Sequence, residues 1–155
     1  MLLNNGNIYS IFNSEHTIKD HCIFNESIPI TEQYKLERLY LVIKYTCMFL
    51  EEHDIDYCIE GGTLLGQYRH DGIIPWDNDV DIMIFKDGYD KMLEVLENYN
   101  TDMFKILQCT PGFKLFYDDE CYGELFVYDI DITDNMYKLA YPYVDNKPTF
   151  YTSKF

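Results

Sequence analysis

Positive charge is what this 155-residue chain has least of: 12 Lys and Arg face 27 Asp and Glu, for a formal net charge of -15. Such a surface repels a phosphate backbone, which excludes nucleic acid as a partner. Signatures of zinc and thiol redox chemistry are missing as well. The five cysteines, Cys22, Cys47, Cys58, Cys109 and Cys121, are scattered and form no C-x-x-C pair, and the histidines at 16, 21, 53 and 70 lack H-x-x-x-H spacing. They read as reduced core residues and ordinary surface histidines. Long apolar runs are also absent: the strongest, Leu39 to Leu50, is broken by Lys44, and no basic n-region precedes an uninterrupted apolar stretch at the N-terminus. No transmembrane segment and no signal peptide are expected, so the chain reads as cytoplasmic, with a membrane-associated substrate still compatible.

A hydrophobic fraction of 47%, with fifteen Tyr and ten Phe, is that of a folded chain with a sizeable core. Residues 1–30 show no sustained periodicity and read as an N-terminal arm, with a short strand around Ile8 to Phe12. Residues 31–155 read as one domain. From Thr31, in a capping-box-like start, the positions Leu36, Leu39, Tyr40, Ile43, Cys47 and Leu50 follow helical spacing. A short strand over Asp56 to Glu60 runs into Gly61-Gly62 and a helical turn. Val80 to Phe85 is a strand after the Pro75-Trp76 turn, and Tyr89 to Tyr99 a helix. Strands are expected at Phe104 to Gln108, Lys114 to Tyr117 and Glu124 to Ile132, with turns near Pro111-Gly112 and Tyr122-Gly123, and the last twenty residues read as irregular. This order fits an α+β (α/β-like) domain, a mixed sheet packed by helices.

Chemistry concentrates between residues 60 and 82. A glycine pair at a strand-to-helix junction lets backbone approach a phosphate and aims free helix amides at it, and Thr63 adds a hydroxyl; a plain turn is the alternative. In Asp79-Val80-Asp81, strand alternation puts both carboxylates on one face. Two such anions call for a hard cation with oxygen ligands, magnesium or manganese, which would supply the positive charge a phosphate ligand needs. The plainer reading is a solvated acidic strand end.

Together, Gly61-Gly62 after a strand, a D-x-D opening the next strand, and a later aspartate-rich strand make the pattern of the nucleotidyltransferase fold. The run GGTLLGQYRHDGIIPWDNDVDI, with Arg69-His70 and Pro75-Trp76-Asp77, closely resembles the LicD/fukutin family of phosphotransferases. The resemblance covers roughly Glu37 to Asp134. It implies transfer of a phosphorylated group, such as phosphocholine or ribitol phosphate, from a CDP-linked donor to a hydroxyl of a glycan or glycolipid acceptor. On that reading Asp79 and Asp81 hold the metal, Gly61, Gly62 and Thr63 cradle donor phosphate, and Arg69 stabilises charge in the transition state, a structural ion pair being its alternative. A third carboxylate, as metal ligand or base, is expected from Asp129 or Asp131, with Asp134 five residues beyond Asp129 matching the family's usual ending. His70 reads as structural, Trp76 as a packing anchor for the aspartate loop, and Asp77 as a support for the metal ligands. Family members continue past the point matching Phe155, so an acceptor-binding region or lid is expected to be missing.

Other readings compete. A calcium loop starting at Asp77 would need glycine and glutamate where Ile82 and Gly88 stand. Asp129-Ile130-Asp131-Ile132-Thr133 mimics the aspartyl-phosphate phosphatase motif, with too little chain following it. A nucleotide-sugar glycosyltransferase also uses D-x-D but does not call for the glycine pair. A non-catalytic interaction module retaining the fold is the non-enzymatic rival.

Overall fold

A computed structural model of the chain describes residues 30–96, 99, 101–109, 112–131 and 136–139. The expected arm over 1–30, apart from Ile30, lies outside the described residues, as does Asp134.

The amphipathic stripe folds as helix α1, Gln33–Glu52, burying Leu36, Leu39, Ile43, Cys47 and Leu50 as its spacing predicts, together with Val42 and Phe49. Thr31 is not its cap. Glu32 occupies the cap position without a side-chain bond. Thr31 instead donates its amide to the Pro75 carbonyl at 2.8 Å and its hydroxyl to the Asp77 carbonyl at 2.6 Å, tying the helix entrance to the aspartate loop.

Among the described residues six strands form one mixed sheet: β1 Tyr57–Ile59, β2 Val80–Phe85, β3 Phe104–Gln108, β4 Gly112–Tyr117, β5 Glu120–Asp131 and β6 Met136–Leu139. The order is β1-β2-β5-β4-β3, with β6 paired to the far end of β5. Only β2 and β5 run parallel; the other pairs are antiparallel. Alternation separates the faces. Val80, Ile82 and Ile84, with Leu125, Val127, Phe113, Leu115 and Ile106, are nearly inaccessible to solvent, and α1 packs on this face. Each such aliphatic or aromatic side chain contributes roughly 1.5–3 kcal/mol by leaving water. The opposite face carries Asp81, Met83 and Phe85 of β2, Glu124, Phe126 and Tyr128 of β5, and Lys114 of β4, all partly exposed.

Helix α2, Gly61–His70, joins β1 to the aspartate loop, and helix α3, Lys86–Leu96, follows β2. Three elements depart from the sequence expectation. Helix α3 starts three residues early, directly off β2, because Gly88 lets the helix approach the core: a Cβ there would lie 2.8 Å from Ile55 Cγ2. The β4–β5 turn is Asp118-Asp119, not Tyr122-Gly123. Both aspartates have positive φ, 53° and 60°, which a tight hairpin demands and Asp tolerates better than most residues. Gly123 lies within β5, where a side chain would collide with the Val80 carbonyl. Finally, part of the stretch expected to be irregular forms β6. Among the described residues no helix is long and apolar enough to cross a membrane.

Candidate functional site

The glycine pair is shaped by carboxylates. Gly61 opens α2 with φ of 51°, and a Cβ on it would run into the Asp81 carboxylate; a Cβ on Gly62 would lie 2.5 Å from Asp77 Oδ2. The Gly62 amide donates to Asp81 Oδ2 at 3.0 Å, so an anion caps the positive end of the helix. Two further bonds clamp the same strand residue: the Asp81 amide donates to Thr63 Oγ1 at 2.8 Å, and the Glu60 amide donates to the Asp81 carbonyl at 3.1 Å. Thr63 is thus turned inward and buried. Its oxygen fixes the Asp81 backbone by accepting that amide.

Burial, followed by the neighbouring Asp79 carboxyl, pushes Asp77 up to about 6, the Asn78 amide opposing. Asp81 is also raised, first by burial and then by the charges of Asp79 and Glu124, with the Gly62 amide acting in the other direction. Glu60 is raised by burial despite accepting the Tyr128 hydroxyl at 2.8 Å. Among the described residues no Lys or Arg pairs with Asp77, Asp79 or Asp81.

No three His, Cys, Asp or Glu side chains among the described residues are gathered closely enough to hold a metal by themselves. Magnesium is commonly held by one or two carboxylates with the remaining sites filled by substrate phosphate and water. The donor set is oxygen only, Asp79 is exposed, and the negative charge is uncompensated.

The remaining sequence candidates are dispersed. Arg69 sits in the last turn of α2, exposed and without an ion pair among the described residues. Eight residues at 1.5 Å rise place it about 12 Å along the axis from Gly61, so the structure does not bring its backbone to Asp81. His70 lies edge-on to Trp76, ring centroids 5.9 Å apart, and Trp76 is 40% exposed. Asp129 is not brought to Asp81 either. It shares the strand face of Leu125 and Val127, opposite that of Asp81, and pairs with Lys86 at 3.2 Å. Asp131 is two residues further along β5, its backbone paired with Met136, and its side chain lies outside the described residues.

The carboxylate that does adjoin Asp81 is Glu124, which sequence reasoning missed. The two are register partners on neighbouring parallel strands, hence on one face, and the Glu124 charge is felt at Asp81. Alternation in Glu124-Leu125-Phe126-Val127-Tyr128-Asp129 already separates Glu124 from Asp129. Choosing between them requires knowing which face of β5 continues that of Asp81.

Residues 54–155 match the family model described as LicD/FKTN/FKRP, nucleotidyltransferase domain. Among similar proteins, the lipopolysaccharide cholinephosphotransferase LicD of Haemophilus influenzae is 32% identical, over 44% of this chain and 32% of its own. The ribitol 5-phosphate transferase FKRP of Homo sapiens is 50% identical, over 27% of this chain and 8% of its own, and the Mus musculus protein of the same name matches equally. The chain thus spans a third or less of the length of these relatives.

Proposed function

Because the chain belongs to the LicD/fukutin family, with its nucleotidyltransferase domain over residues 54–155, we propose that it is a metal-dependent transferase moving a phosphorylated group from a CDP-linked donor to a hydroxyl of a glycan or glycolipid. The observation that carries this reading is the run of carboxylates Asp77, Asp79 and Asp81, unpaired with any described Lys or Arg, two of which, Asp77 and Asp81, pack against a glycine turn that admits no side chain. The transferred group would be of the phosphocholine or ribitol-phosphate kind, as the names of the relatives indicate for those proteins.

Asp79 and Asp81 would hold the metal, with Asp77 behind them. When bound, that ion would neutralise charge on the donor phosphates and orient the phosphorus being transferred. The chain's own residues do the rest. Gly61 and Gly62 keep the helix end open, and Thr63 and the Glu60 amide fix the Asp81 backbone. Glu124, on the same face, accepts the proton of the acceptor hydroxyl. As the acceptor oxygen bonds to the donor phosphorus, the bond from that phosphorus to the bridging oxygen breaks, and the nucleoside monophosphate leaves with the electron pair.

The reading is tested by thermal-shift titration of wild type and an Asp79→Ala, Asp81→Ala double variant, with magnesium or manganese and a panel of cytidine, uridine and adenosine nucleotides. A ligand at a hundred times its Kd stabilises by about 2.7 kcal/mol. The expected result is a metal-dependent shift with the cytidine class, lost in the double variant. A shift confined to UDP-sugars would favour a glycosyltransferase, and no shift in a folded wild type would favour a non-catalytic module.

A further inference from the structure

The proposed transfer leaves one gap. A nucleoside diphosphate donor carries two negative phosphates into a site already rich in carboxylates, and Arg69, the cation the sequence singles out, lies at the far end of α2. We propose that Lys114 of β4 is the residue that grips the donor's diphosphate. This rests on the reading of the protein as a donor-dependent transferase.

Register carries the argument. Asp81 pairs with Glu124 across β2 and β5, and Glu124 pairs with Lys114 across β5 and β4. Paired residues point to the same face, so Asp81, Glu124 and Lys114 form one row over three adjacent strands. At about 4.8 Å per strand, the outer two backbones are about 10 Å apart, a gap that a diphosphate held at Asp81 and an extended lysine can close from the two sides. The Lys114 ammonium lies 3.7 Å from Glu124 Oε1, and both side chains are partly exposed, 44% and 36%.

Other described cations are placed elsewhere. Lys86 pairs with Asp129 beyond the end of β2, Lys105 with Asp119 at the hairpin, Lys91 with Asp54, and Arg38 with Asp118 and Glu120. Without donor, Glu124 holds the Lys114 ammonium. With donor, a phosphate is the stronger partner for that ammonium and releases the Glu124 carboxylate to act as base. Donor binding thus arms the general base through the same lysine.

The test is calorimetric titration of CDP-choline with magnesium into wild type, Lys114→Met, Lys114→Arg and Asp81→Asn, each first checked for a wild-type circular dichroism spectrum. Lys114→Met should weaken binding at least tenfold, Lys114→Arg by less than threefold, and Asp81→Asn should abolish the magnesium dependence. Binding by Lys114→Met within twofold of wild type, while Asp81→Asn fails, overturns the Lys114 assignment alone. A wild type that binds neither CDP-choline nor CDP overturns the donor reading and this inference with it. CMP, which has one phosphate, provides an internal comparison: Lys114→Met should weaken CDP more than CMP, and equal weakening of both also overturns the assignment.

Discussion

Replacing Gly61 by Ala perturbs the site at its tightest point. The substitution imposes two separable costs. A residue with a Cβ at φ of 51° pays about 1–2 kcal/mol for left-handed backbone. The new methyl also occupies space taken by the Asp81 carboxylate, which can withdraw only by giving up its bond to the Gly62 amide. A hydrogen bond to a charged group contributes about 1.5–3 kcal/mol. If both costs fall on the fold, stability drops by roughly 2.5–5 kcal/mol, a loss of about 5–20 °C in Tm for a chain of this size. If Asp81 turns aside and the backbone relaxes, the stability loss shrinks towards the first cost, while magnesium-dependent nucleotide binding collapses. Urea unfolding followed by tryptophan fluorescence, paired with titration of CDP and magnesium, measures both. Gly62→Ala is the informative companion, since its clash is with Asp77 and it carries no positive-φ penalty. A Gly61→Ala protein with stability within 0.5 kcal/mol of wild type and unchanged magnesium-dependent binding would refute the view that this glycine makes room for the metal-binding carboxylate.

The face assignment on β5 predicts that Glu124→Gln lowers the rate of CMP release from CDP-choline by about 10²-fold or more, the usual loss on removing a general base. Asp129→Ala should leave that rate within twofold, since it removes only an exposed pair with Lys86. The reverse pattern would return the third carboxylate to Asp129. The carboxyl cluster also predicts an inverted pH response. Asp77 is raised to about 6 in the fold, so between the ordinary Asp value and 6 the folded chain binds more protons than the unfolded one, and stability falls as pH rises through that window. Differential scanning calorimetry without metal should therefore show a larger loss in Tm from pH 4.5 to 7 for wild type than for Asp77→Asn, and magnesium at pH 7 should recover part of it. An equal loss in the two proteins would contradict a raised Asp77 carboxyl.

Elements whose signal is local were readable from the chain. The stripe from Leu36 to Leu50, the alternation over Val80 to Phe85 and the stretch Phe104 to Gln108 fold where their periods place them, because an apolar period of 3.6 or 2 has one way to reach a core. The failures share a cause. Gly123 carries a turn signal in sequence, yet it is needed as a space beside the Val80 carbonyl, a residue 43 positions earlier. The turn goes to two aspartates that no glycine flags. Thr31 looks like a cap and is a tether to Asp77. In each case the deciding partner is distant in the chain. The same holds for the third carboxylate: the period of β5 sorts its residues onto two faces, but only the pairing of Asp81 with Glu124 tells which face belongs to the site.

The glycine pair illustrates how a sequence signal read for a ligand also answers a demand made inside the fold. Sequence logic assigns Gly61 and Gly62 to phosphate, through open amides at a helix start. In the fold the Gly62 amide is already used, by Asp81, and both glycines are needed because carboxylates stand where side chains would go. Carboxylates two residues apart on one strand face lie about 7 Å from each other, and at an effective dielectric of 20 such a pair repels by about 2 kcal/mol. Asp77 and Asp81 stand against the glycine turn on either side of Asp79 in sequence, with no lysine or arginine among the described residues paired with any of the three. Part of the cost is met at Asp77, which burial raises to about 6. A divalent cation would relieve the repulsion, so the strain built by the glycine turn would itself be a source of metal affinity. On this argument the acidic character of the chain and the glycine turn would be two parts of one device: the turn concentrates negative charge, and a bound metal would present the proposed donor with the positive charge that the sequence lacks.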